Sequence, residues 1–131
     1  MKPITVYLID DDPAMLVLLT ETIKPLGLTT KSYTRAKQFF KQVSSFDADS
    51  VLVLDLLIPE IDGIEVMKQL AEMRNPPSLI LISGRGTELL NSAEKLGRSY
   101  KLKILGCLNK SDMTEKFQQL LEQHISDEGN G

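Results

Sequence analysis

The sequence predicts an α/β fold: a doubly wound sheet of five parallel strands with helices on both faces. Short apolar runs recur along the chain, each is followed by a stretch with helical spacing, and the alternation is unbroken from end to end. Parallel neighbours need right-handed crossovers, and the intervening helices supply them.

Ile4 to Ile9 reads as the first strand, and Asp12 followed by Pro13 as the N-cap and first position of a helix reaching Lys24. Pro25 and Gly27 stop that helix. Thr29 to Tyr33 is a weaker, more polar strand, followed by helical spacing over Ala36 to Val43. Val51 to Leu54 is the third strand. Asp62 with Gly63 opens a helix over Ile64 to Met73, and Asn75, Pro76 and Pro77 close it, because proline cannot continue the hydrogen-bond ladder. Leu79 to Ile82 and Leu89 to Leu96 form the fourth pair, and Ile104 to Leu108 and Ser111 to Gln123 the fifth. The Leu16, Leu19, Ile23 stripe and the Phe39, Phe40, Val43 group are core contacts. Cys107 reads as a small buried apolar residue, and His124 as a residue on a solvated face. Residues 1–125 make one domain, and Ser126 to Gly131 an unstructured tail or shortened linker.

A chain of 131 residues with 42% apolar side chains suits a single compact domain. Fifteen basic against 18 acidic residues give a net charge of -3, so no global basic footprint favours direct nucleic-acid binding. Lys95, Arg98, Lys101 and Lys103 read as a solvated basic face. The longest apolar stretch, Val51 to Pro59, is interrupted by Asp55 and falls far short of the ~20 residues of a spanning helix, so no membrane is expected. The N-terminus lacks signal-peptide architecture and Cys107 has no partner for an internal disulfide; both point to the cytoplasm.

In open parallel sheets ligands bind beyond the carboxyl ends of the strands, so the polar residues ending each apolar run carry the chemistry. Those residues are Asp10, Asp11 and Asp12, then Asp55, Ser83 and Lys110. Carboxylates from neighbouring strand ends repel unless neutralised, and a hard divalent cation with oxygen ligands, Mg2+ above all, does this. Lys110 adds a compact positive charge and Ser83 a hydroxyl, which together suit a phosphoryl group. Asp55 is then placed to act as a nucleophile towards phosphorus, giving an acyl phosphate.

Over about residues 3 to 124 the chain resembles a response-regulator receiver domain of two-component signalling. The resemblance rests on Tyr-Leu-Ile-Asp-Asp-Asp, on the Val-Leu-Val-Leu-Asp-Leu-Leu-Ile-Pro-Glu-Ile-Asp-Gly block, on Leu-Ile-Ser-Gly and on the late Lys110. It implies a flavodoxin-like (βα)5 fold with strand order 2-1-3-4-5. It implies Asp55 as phosphoacceptor and a Mg2+ site, with Mn2+ as a substitute ion, made by Asp11 directly, Asp10 through water, Asp55 and the backbone carbonyl of Leu57. Ser83 and Gly84 then form the switch loop, Lys110 pairs with Asp55 and later with the phosphoryl oxygens, and Pro59 and Gly63 are loop residues after the phosphoacceptor. Leu57 and Arg85 border the path of hydrolytic water and tune dephosphorylation.

The sequence departs from that pattern in places. Ser111 follows Lys110 where the family has a cis proline; a cis non-proline bond costs about 3 kcal/mol, so a trans, differently shaped loop is expected. Cys107 stands where Tyr or Phe is usual, and the segment from Ser83 to Lys110 is longer by about one helical turn. Its wording is similar to receivers attached to EAL-type cyclic-di-GMP phosphodiesterases. The function expected is a switch, not a turnover enzyme, with a sensor histidine kinase or phosphotransfer protein as donor and an output partner on the face of the fourth helix, fifth strand and fifth helix. Two other readings compete: a pseudo-receiver that docks partners without phosphorylation, and a haloacid-dehalogenase-type phosphohydrolase using Asp10 as nucleophile and Asp12 as acid/base. Ala14 in place of the latter family's Thr weighs against it.

Overall fold

The computed structural model describes residues 3–57 and 62–129, apart from the side chain of Asp112. The elements are β1 (Thr5–Ile9), α1 (Pro13–Ile23), β2 (Thr29–Tyr33), α2 (Ala36–Gln42), β3 (Val51–Asp55), α3 (Gly63–Ala71), β4 (Ser78–Ser83), α4 (Thr87–Ser99), β5 (Ile104–Asn109) and α5 (Thr114–Gly129). Short 3₁₀ turns lie at Lys24–Leu26 and Lys110–Asp112. All pairings are parallel, in the order β2-β1-β3-β4-β5. The winding reverses between β1 and β3, the switch point at which such sheets open a crevice.

Local chemistry fixes the helix starts. Asp12 accepts a hydrogen bond from the Ala14 N–H at 3.0 Å with Pro13 in the first helical position, and Asp62 accepts one from Glu65 N at 2.9 Å. Gly27, at φ +74°, takes the left-handed conformation that ends the turn after α1.

The inner strands are apolar between their ends because both faces are covered. Val6, Leu8, Val51, Val53, Ile80 and Ile82 face α1 and α5, meeting Leu16, Leu19, Ile23, Phe117 and Leu121. Ile9, Leu52, Leu54, Leu79 and Leu81 face the opposite layer with Val66, Met67, Leu70 and Leu90. Phe39 of α2 sits among Tyr7, Tyr33 and Phe46 with ring centroids 5.4–5.8 Å away. β2, at the edge, buries only Tyr33.

The structure corrects the sequence-based reading at the chain's end. His124 is 1% exposed and not solvated: it continues the Phe117, Leu121 stripe of α5, and its Nε2 lies 2.9 Å from the Asp49 carbonyl oxygen. Residues 126–129, expected as a tail, extend α5. α4 is longer than its apolar spacing suggested, starting at Thr87 and ending at Ser99.

Gly63 opens α3 with its N–H donated to the Leu56 carbonyl at 3.1 Å, and a Cβ there would lie 2.8 Å from the Leu56 Cα. Backbone cannot yield as a side-chain tip can. Gly63→Ala should therefore lower unfolding stability in urea by about 1–3 kcal/mol and shift the Leu56 amide.

Candidate functional site

Three strand ends build the site. Asp10 directly follows β1, Asp55 is the last residue of β3, and Asn109 ends β5 immediately before Lys110. Asp10 is fully buried and Asp55 is 2% exposed, whereas Asp11 is exposed; carboxylate oxygens of all three lie within 4.8 Å of one another. The Asp10 Oδ1 accepts from Asp12 N at 2.9 Å, and Asp55 Oδ1 accepts from Leu57 N at 3.0 Å. These bonds hold the carboxylates in place and leave the second oxygens pointing inward.

Lys110 Nζ lies 2.9 Å from both Asp10 Oδ2 and Asp55 Oδ2. The contact to Asp55 is a directed hydrogen bond, while Asp10 Oδ2 is buried with no well-aligned donor and is held by charge alone. Burial pushes the Asp10 carboxyl above its ordinary value, and repulsion from Asp55 adds to it; Lys110 and the Asp12 N–H only partly oppose this. For Lys110 burial disfavours the ammonium, but the facing carboxylates of Asp10 and Asp55 favour it more strongly, raising its pKa above the ordinary value. The cluster carries more negative than positive charge, and its buried, poorly satisfied oxygen fits a hard divalent cation with oxygen ligands.

Ser83 ends β4 fully buried, its Oγ accepting from Arg85 N at 3.1 Å. Gly84 runs beside the lysine stem: a Cβ on it would lie 3.8 Å from Lys110 Cδ. Arg85 is exposed and Leu57 is 42% exposed. Gly63 packs on Leu56, and Pro59 lies outside the described residues. No cis peptide bond occurs among the described residues, and the chain after β5 forms the 3₁₀ turn Lys110–Asp112, a trans loop as Ser111 led us to expect. Cys107 is half-buried between β5 and α4, with Sγ 3.7 Å from Glu94 Oε1; burial, with the Glu94 charge, pushes its thiol up to about 12. It borders a hollow of about 190 Å³ with Thr87, Leu90 and Asn109.

Sequence reasoning missed Asn109. Its side-chain oxygen accepts from Ser111 N and Ser111 Oγ, and the legible signal was Asn-Lys-Ser-Asp, a turn-forming string directly after an apolar run.

Residues 6–123 match the response regulator receiver domain family, and the chain belongs to it. It is 36% identical over 81 residues to response regulator protein TmoT of Ectopseudomonas mendocina, covering 62% of this chain and 36% of that protein. With the C4-dicarboxylate transport transcriptional regulatory protein DctD of Pseudomonas aeruginosa it shares 35% identity over 95 residues, 72% of this chain and 20% of DctD. This chain thus spans only 36% and 20% of these relatives' lengths. The crystal structure of a response regulator from Colwellia psychrerythraea superposes with a TM-score of 0.82 at 32% identity, covering 95% of this chain and 99% of that one. No helix among the described residues is long and apolar enough to cross a membrane.

Because Asp10 favours its protonated form in the fold, stability should fall as pH rises through the raised folded value and recover as pH drops towards the ordinary 3.8. In EDTA-treated protein, Asp10→Asn should raise unfolding stability by about 1–2 kcal/mol at pH 7. That gain should shrink as urea unfolding is repeated towards pH 4.

Proposed function

We propose that this receiver domain is a phosphorylation-dependent switch in which Asp55 takes a phosphoryl group from a phosphohistidine on a sensor histidine kinase or phosphotransfer protein. The observation that carries this reading is the buried Asp55 carboxylate ending β3, beside Asp10 and 2.9 Å from Lys110 Nζ. A carboxylate oxygen of Asp55 attacks phosphorus, the P–N bond breaks, and the imidazole leaves with its electron pair and takes up a proton. Lys110, released from Asp10 and Asp55, offsets charge on the transferring oxygens, and Ser83 donates its hydroxyl to one of them. Asp10, Asp11, Asp55 and the Leu57 carbonyl would hold Mg2+ or Mn2+, which supplies further positive charge to the transferring oxygens. In this reading the domain acts as a switch whose product is a conformation, not as a turnover enzyme.

Exposed Val17 and Leu18, 62% and 45% accessible on the helix that starts at the site, give a protein donor an apolar foothold. Readout runs through the Ser83 loop and the α4, β5 and α5 face. With Cys107 half-buried against α4, the loop and α4 carry the movement without a swinging ring. The receiver domain, with α5 reaching Gly129, works in the cytoplasm, and the longer relatives fit a protein with an output domain, of which an EAL-type phosphodiesterase is one class.

Acetyl phosphate with Mg2+ should add one labile adduct of about 80 Da in intact-mass measurements, absent with EDTA and in Asp55→Asn. Persistent absence, including with a phosphotransfer donor, would favour the pseudo-receiver reading. Apolar Leu57 cannot orient a water, so the adduct should persist for minutes or longer, and Leu57→Gln, which adds amide donors and an acceptor, should shorten that lifetime.

A further inference from the structure

We infer that Asn109 is a positioning residue for Lys110, acting through a two-bond clamp that sets where the ammonium points. The chain leaves β5 at Asn109 and must return the next side chain over the ends of β1 and β3. It does so in the single 3₁₀ turn Lys110–Asp112. So short a turn holds itself weakly and needs support from outside.

Asn109 supplies that support. It sits at the N-cap in extended backbone, φ -81° and ψ 136°, and its Oδ1 accepts from Ser111 N at 3.1 Å and from Ser111 Oγ at 3.0 Å. The residues on either side of Lys110 are thereby tied to each other. Asn109 is itself fixed, because its Cα pairs in register with Ser83 at the end of β4. From this anchored root the lysine stem passes Gly84 and places Nζ 2.9 Å from both buried carboxylates. A lysine stem has four rotatable bonds, so a root free to rock would spread the ammonium over many positions.

The kinetic readout rests on the phosphoacceptor reading above; a spectroscopic one does not. With Lys 15N-labelled protein, the Lys110 ammonium should give a slowly exchanging Nζ signal that Asn109→Ala weakens or abolishes and that Asn109→Asp and Asn109→Ser, which keep an acceptor oxygen, restore. Phosphorylation by phosphoramidate should slow about fivefold in Asn109→Ala, the size of a lost cap, and recover in the same two variants. In a Lys110→Ala background, Asn109→Ala should cost nothing further. Amide spectra of the β1 and β3 residues report whether the fold is intact. A wild-type Nζ signal in Asn109→Ala, or an undiminished rate loss when Lys110 is already gone, overturns the inference. If Asn109→Ala loses the fold, Ser111→Ala, which removes the hydroxyl arm of the clamp, decides instead: a weakened Nζ signal supports the clamp and a wild-type one refutes it. Wild-type protein that takes no phosphoryl group from phosphoramidate refutes the proposed function instead, and the Nζ spectra still decide the role of Asn109.

Discussion

Two carboxylates buried side by side at the end of a dry sheet need a cation, and the geometry of this domain turns on how Lys110 provides it. Asp10 and Asp55 emerge on adjacent strands because β1 lies between β2 and β3. Helices on both faces remove the water that would otherwise solvate the two acids, so their repulsion is felt at low dielectric. The ammonium arrives from the far edge of the sheet, two strands away from β3, and reaches back across Gly84. A side chain on residue 84 would press on that route.

The same charge excess that makes the site a poor contributor to stability makes it receptive. One buried oxygen of Asp10 lacks an aligned donor, so the resting pocket is incomplete by design of its residues. A divalent cation would bring the positive charge that the three carboxylates and one ammonium leave wanting, and with Lys110 it would offset the negative charge that a phosphoryl group adds.

Much of this was legible in the sequence for plain physical reasons. Strands covered on both faces read as continuous apolar runs, and the residue that breaks each run is the one left at the carboxyl edge; that is why Asp55, Ser83 and Lys110 stood out. The proline pair after α3 and the capping aspartates before α1 and α3 marked boundaries through backbone chemistry alone. His124 was misread because a polar residue at the end of an amphipathic stripe looks solvated until a distant carbonyl, that of Asp49, is known to lie opposite. The helical state of residues 126–129 was hidden by their polar, glycine-containing composition. Asn109 was missed because its role depends on the direction in which the chain turns, which no apolar pattern encodes. The length of α4 was concealed at both ends by residues that cap rather than pack, such as Gly86 at φ +84°.

The ion pair joining Lys110 to Asp55 spans 55 residues of sequence. At ribosomal speeds of about 5–20 residues per second, a nascent chain carries the acid pair for roughly 3–10 s before the lysine is made. During that interval the first three strands can associate only with their acids solvated or protonated. Final closure of the carboxyl edge is therefore a late event in biogenesis, timed by the arrival of β5.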